Sequence, residues 1–183
     1  MKYYHVSSQL EVGARIIPCK KTFMGWSSFS DKTTITNEQE FYDCLEFLKK
    51  SPVYRDTDRT PEKWVCEILF ENIRKNYFFD HPSRIYGTYL CQSVTEAIRF
   101  KQKYRNADSK IFEVEIEDNV NYYDMQLFTI AESSIYGSSF QNSVYNTCIK
   151  LAYDYWNSQG NSSISEKEYL YDKEIVVGKE IST

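Results

Sequence analysis

Residues 111 to 117 carry the pattern that most narrows what this chain can fold into: Phe112, Val114 and Ile116 alternate with Glu113, Glu115 and Glu117. A period of two sends successive side chains to opposite sides of an extended backbone, so the run predicts a β-strand with one apolar and one solvated face. Helical periods stand before and after it. Phe41, Cys44, Leu45 and Leu48 recur at helical spacing from Thr36 onward, and Lys49-Lys50 close that run ahead of Pro52. Thr60-Pro61 supplies an N-cap and a first-turn proline for a helix whose apolar stripe is Trp64, Val65, Ile68 and Leu69. Ser93-Val94-Thr95-Glu96 has the capping-box form, opening a helix through Ala97, Phe100 and Tyr104. Val144, Cys148, Leu151, Ala152 and Tyr155 predict one more.

Extended segments fall between these helices. Tyr3 to Ser7 reads as a strand, Gly13 as a turn into a second extended piece ending at Ile17, Ile85 to Cys91 as β-like, and Tyr169 to Val177 as a closing strand. The polar run 51–59 reads as a surface connection and Asn157 to Ser165 as a Ser/Asn/Gly loop. This order is mixed, which predicts an α+β protein. It lacks regular βαβ spacing, a G-x-G-x-x-G run or a Walker loop, and so argues against a doubly wound nucleotide fold.

At 183 residues the chain suits one domain, residues 1–183, with a core that needs no disulfides or structural metal. Sixteen Tyr and 11 Phe make that core, and any cleft in it, aromatic. The five cysteines, Cys19, Cys44, Cys66, Cys91 and Cys148, form no CxxC pair and have only two histidines to help them ligate metal. They predict buried free thiols in a reducing cytoplasm and no metal site. The opening MKYYHVSSQL lacks the apolar core of a signal peptide, and no run approaches the ~18 apolar residues of a membrane span. A membrane partner is not expected. A net charge of −4 opposes general nucleic-acid affinity but leaves a local basic run, Arg99, Lys101, Lys103 and Arg105. Its ordinary reading is a solvated helix face; guidance of an RNA or DNA substrate is the second.

Three short segments carry the chemistry: Tyr4-His5-Val6-Ser7, Arg84-Ile85-Tyr86-Gly87-Thr88-Tyr89-Leu90, and Glu166-Lys167-Glu168-Tyr169-Leu170. In order and spacing they resemble the ADP-ribosyltransferase superfamily, in particular its poly-ADP-ribose-polymerase-like branch with His, Tyr and Glu motifs, and its small bacterial toxin-like or phage-defence members. The resemblance implies split antiparallel β-sheets with surrounding helices, NAD held in the cleft between them, and transfer of ADP-ribose to a macromolecular acceptor with release of nicotinamide. It implies that His5 and Ser7 position NAD and that Val6, where the family usually has glycine, meets the nicotinamide amide through its backbone. Tyr89 and Phe100 would stack the nicotinamide ring. Glu168 would stabilise positive charge on the ribose, as a carboxylate does in glycoside hydrolysis. Glu166 would handle the acceptor, sharing a strand face with Glu168. Arg84 would pair with the NAD diphosphate. NAD is then the substrate, the acceptor is protein, RNA or DNA, and a cognate antitoxin protein is an expected partner.

Other readings of the same residues stand beside this one. Without turnover the chain would be an inert NAD- or partner-binding module on the same scaffold; with water as acceptor it would be an NAD glycohydrolase. Cys91 with His5 would make a cysteine-nucleophile enzyme. His81, between Asp80 and Pro82, reads as an ordinary loop residue.

Overall fold

The structure, a computed structural model, describes residues 1–18, 33–51, 60–136, 144–161, 163–164 and 166–182. Cys19, the connection 52–59 and positions 162 and 165 of the Ser/Asn/Gly loop lie outside the described residues. In chain order the elements are β1 (Lys2–Ser7), β2 (Arg15–Ile16), α1 (Glu38–Lys50), α2 (Pro61–Tyr77), β3 (Thr88–Leu90), α3 (Val94–Tyr104), β4 (Lys110–Glu115), β5 (Asn121–Asp124), α4 (Met125–Tyr136), α5 (Val144–Asn157), β6 (Lys167–Tyr171) and β7 (Ile175–Ile181). The protein is α+β, with two antiparallel sheets. One has strand order β1-β4-β7-β2, the other β3-β6-β5.

Local chemistry accounts for where the helices begin. The side chains of Asn37, Thr60 and Ser93 accept hydrogen bonds from the amides of Glu40, Lys63 and Glu96, each satisfying a first-turn donor that has no partner inside the helix. The Glu96 carboxylate reaches back to the Gln92 amide at 2.8 Å, one residue ahead of the cap. The buried side of α1 is Phe41, Cys44, Leu45 and Leu48, the stripe the sequence predicts. In α2 burial runs unbroken from Trp64 to Ile73 and takes in two carboxylates, Glu67 and Glu71.

Among the described residues, three apolar clusters hold the elements together. In the largest, side chains of α1, α2, α4 and α5 pack on Tyr123 of β5 and Leu170 of β6. Phe112 and Val114 of β4 meet Tyr3, Val177, Leu90 and Tyr169 in a second, which joins the two sheets. In the third, Ala97 of α3 sits on Val6 and Ile111. The sheets also touch through one isolated bridge: Tyr4 and Cys91 exchange two backbone hydrogen bonds of 2.8 Å.

The structure corrects the sequence reading in three places. The β-like run Ile85 to Cys91 is a strand only over Thr88–Leu90, because the backbone from Arg84 to Tyr86 is a turn pinned by Ser83. Tyr169 to Val177 is not one strand but the end of β6 and the start of β7, which belong to different sheets. Strand β5 and helix α4 are additional elements.

Candidate functional site

A cavity of about 360 Å³ lies among β1 of one sheet, β3 and β6 of the other, and helix α3. Val6 of β1, Tyr89 of β3, Phe100 of α3 and Glu168 of β6 all line it. Helix α3 contributes Glu96, Arg99, Phe100 and Lys103, positions three and four apart that share one side of a helix. Val6, Tyr89, Phe100, Glu166 and Glu168, far apart in sequence, therefore meet at one place. His5, Ser7 and Arg84 do not line it.

Glu168 owes its position to a buried polar cluster. On β6 it lies opposite Tyr123 of β5, and its Oε2 accepts hydrogen bonds from Arg84 Nη1 and from the Tyr155 hydroxyl of α5. Arg84 is clamped from the other side by Glu67 of α2, which accepts from Nε at 3.0 Å and from Nη2 at 3.2 Å. The guanidinium carbon also lies 3.8 Å from the centroid of the Phe128 ring, a cation–π contact. Arg84, expected beside a diphosphate, is instead about 2% exposed and engaged by two carboxylates, so that expectation is corrected.

The turn carrying Arg84 is held just as firmly. Ser83 Oγ donates to Glu71 at 2.9 Å and accepts from the amides of Ile85 and Tyr86, while the Gly87 amide donates to the Ser83 carbonyl at 2.8 Å. A β-carbon at Gly87 would lie 2.4 Å from that carbonyl oxygen, so the turn requires glycine. Arg74 adds two hydrogen bonds to Glu71 and one of 2.9 Å to the His81 carbonyl. Two carboxylates of α2 thus fasten the segment before β3.

Glu67 and Glu168 both bind the guanidinium of Arg84. Burial pushes the Glu168 carboxyl above the usual carboxylate range, with Arg84 and the Tyr155 hydroxyl opposing and Glu67 adding to the rise. Burial also works against charge on Arg84, but the two carboxylates outweigh it and keep the guanidinium charged. Tyr155 is held well above its ordinary value, chiefly by burial, and stays a neutral donor.

The remaining expected residues divide by strand parity. Val6 points to the cavity side, so its neighbours His5 and Ser7 project from the opposite face of β1. His5 Nδ1 lies 2.9 Å from the Tyr89 carbonyl oxygen, which can only accept, so Nδ1 carries the hydrogen. Ser7 Oγ accepts from the Gln9 amide at 3.1 Å. The Tyr89 hydroxyl donates to the Arg84 carbonyl at 2.8 Å, leaving its ring against the cavity. Glu166 precedes β6 rather than standing on it, so the shared strand face is corrected; it reaches the cavity from the loop, bonded to Lys103 Nζ at 3.2 Å. Cys91 is on the wall, but burial pushes its thiol up to about 12, which leaves no thiolate to act as nucleophile near neutral pH.

Sequence reasoning missed Glu67, Tyr155 and Phe128. A signal existed for the first: Glu67 interrupts the apolar run from Trp64 to Phe70 at a position that helical period turns inward. A buried carboxylate there demands a cation. Among the described residues, no three His, Cys, Asp or Glu side chains gather to hold a metal ion, and no helix is long and apolar enough to cross a membrane.

Fold and site together define an α+β protein with a half-open cavity at the seam of two antiparallel sheets and a buried carboxylate in its wall. A family model described as "Protein of unknown function (DUF2441)" matches residues 19–183, and the chain belongs to that family. The match takes in Glu67, Arg84, Tyr89, Phe100 and Glu168, and begins after β1. No curated protein matches the chain.

Proposed function

We propose that the cavity binds NAD and that the protein transfers ADP-ribose from it to a macromolecular acceptor, on an ADP-ribosyltransferase-like fold. The observation that carries this reading is the meeting of Val6, Tyr89, Phe100 and Glu168 around one cavity. Two aromatic side chains and an apolar one suit a flat, uncharged leaving group. A carboxylate suits the cationic ribose that its departure creates. A space of about 360 Å³ is at the small end for ligand sites, so it takes the nicotinamide riboside half and leaves the adenosine half outside.

In the reaction the bond from ribose C1′ to the nicotinamide nitrogen breaks, and its electron pair goes to that nitrogen, discharging the pyridinium. C1′ gains oxocarbenium character. Glu168 lowers the energy of that state more than that of the ground state, which is what accelerates the step. An acceptor N–H or O–H then supplies the pair for the new bond to C1′ and gives up its proton to Glu166 or to water. NAD and acceptor go in; ADP-ribosylated acceptor, nicotinamide and a proton come out. His5 acts one layer back, fixing the Tyr89 carbonyl and with it the stacking ring.

Calorimetric titration of NAD into wild type, Phe100→Ala and Glu168→Gln tests the binding half. Stacking is worth about 0.5 to 1.5 kcal/mol beyond area burial, so Phe100→Ala should weaken NAD by about threefold to tenfold or more. Glu168→Gln should bind within a small factor of wild type. Indifference of NAD affinity to Phe100 would remove the cavity from consideration.

A further inference from the structure

We propose that the acceptor is a single-stranded nucleic acid, held along α3 by Arg99, Lys103 and Arg105. This rests on the reading of the cavity given above. On a chain of net charge −4, α3 carries Arg99, Lys101 and Lys103 against the single carboxylate Glu96, and Arg105 caps its end. Arg99 lines the cavity, is exposed, and makes no hydrogen bond or ion pair with any described residue. Lys103 lines it too, and its bond to Glu166 joins two side chains 59% and 41% exposed, an ion pair that an incoming phosphate can displace. These cations stand at the edge of the space that Glu168 faces, where the acceptor has to enter.

Aromatic rings alternate with them. Phe100 and Tyr104 lie 5.2 Å apart, with the Arg105 guanidinium 4.9 Å from the Phe100 centroid and Lys103 Nζ 4.8 Å from that of Tyr104. Cations that track a backbone beside rings on which bases stack are the means by which proteins hold single strands without reading sequence. With nicotinamide on Phe100, Tyr104 is the ring left for a base; a phosphorylated peptide would use the cations and leave that ring idle, and a duplex would keep its bases from it. The nucleotide whose N–H or O–H attacks C1′ enters at Glu166, which takes its proton, and the phosphates flanking it meet Arg99 and Lys103.

Lys101 provides an internal control, since two residues from Arg99 on a helix is about 200° around the axis and away from the cavity face. The experiment is fluorescence anisotropy of labelled single-stranded DNA and RNA oligonucleotides with the full chain, as a function of salt and without NAD. Wild type should bind with an affinity that falls as salt rises. Arg99→Ser with Lys103→Ser should flatten the slope of log affinity against log salt by about 1.4, at about 0.7 for each phosphate contact on a single strand. Lys101→Ser should change it by less than Arg99→Ser alone, with thermal midpoints of all variants near that of wild type. No binding at low salt would overturn the proposal. So would equal slopes in wild type and the double variant, or equal displacement of the oligonucleotide by polyglutamate or by a phosphorylated peptide. Nicotinamide release measured without oligonucleotide fails or succeeds separately, so loss of the NAD reading and loss of this one are told apart.

Discussion

Arg84 is where the stability of the site and its chemistry meet. Its guanidinium is buried, and Glu67 matches both its Nε and its Nη2 in a bidentate pairing that a lysine ammonium cannot reproduce. Removing Glu67 leaves Arg84 with Glu168 as its counter-charge but takes away the acceptors of Nε and Nη2, and a buried donor left unsatisfied costs about 1 to 3 kcal/mol. Glu67→Ala should therefore lower the unfolding free energy by at least about that amount in urea titration, with the slope against denaturant unchanged. An unfolding free energy equal to that of wild type would show that Arg84 does not depend on Glu67 for its hydrogen bonds. Glu168 has a second donor in Tyr155, so Glu168→Gln keeps the hydrogen bond from the hydroxyl and should be milder for the fold than for any reaction.

Among the elements, the turn from Ser83 to Gly87 decides where Arg84 points. Gly87→Ala sets a β-carbon against the Ser83 carbonyl, and overpacking of this kind costs about 1 to 3 kcal/mol. The expected result is a lowered thermal midpoint together with weaker NAD binding, although residue 87 does not line the cavity. A midpoint equal to that of wild type would mean that the turn yields without cost.

The elements also show what a sequence can and cannot reveal. Helices α1, α2, α3 and α5 were legible because each pairs an apolar stripe with capping or turn residues at its ends. Strand β5 and helix α4 were not, since Asp124 ends one and Met125 begins the other with no turn residue between them. The mark that was there is slight: the Asp124 carboxylate accepts from the Gln126 amide at 3.0 Å, a cap hidden inside a strand. Tyr169 to Val177 read as one strand because both flanks of Asp172-Lys173-Glu174 are aromatic or β-branched, and period alone does not show that the chain changes sheets there. Of the residues that line the cavity, Tyr89, Phe100, Glu166 and Glu168 stand in short motifs that the sequence singles out. Glu67, Tyr155 and Phe128 were not, because what makes them matter is contact with Arg84 across three helices and not any local pattern.

A partly buried histidine and a buried carboxylate give the whole molecule pH dependences of opposite sign. His81 packs among Phe78, Tyr123 and Trp156 at ring distances of 5.3, 5.7 and 6.0 Å. Burial, helped by Arg74 and opposed by Asp80, holds it below its ordinary value. The unfolded chain then takes up a proton near pH 6.5 that the folded one resists, so stability is lost as pH falls through that value toward the lower folded one. Glu168, raised in the fold, acts the other way: its contribution is present below the unfolded value and is lost as pH rises through the folded one. Wild type and His81→Gln share Glu168, so the difference between their thermal midpoints isolates the histidine. Acidification from about pH 7.5 to about pH 5.5 should lower the wild-type midpoint more than that of the variant, and parallel curves would show that His81 titrates alike in both states.

NAD is expected to stabilise the same molecule by about 2.7 kcal/mol at a hundred times its dissociation constant, provided it binds only the folded chain. Binding alone, however, would also be shown by an inert module. Cleavage separates the two, and release of nicotinamide from NAD by wild type and Glu168→Gln, followed by chromatography on samples matched for thermal midpoint, is the direct measurement. Wild type should release nicotinamide, and the variant should lose on the order of 10² to 10³ in kcat with NAD affinity retained. Equal release by the two proteins, or none by wild type at saturating NAD, would contradict the proposed function.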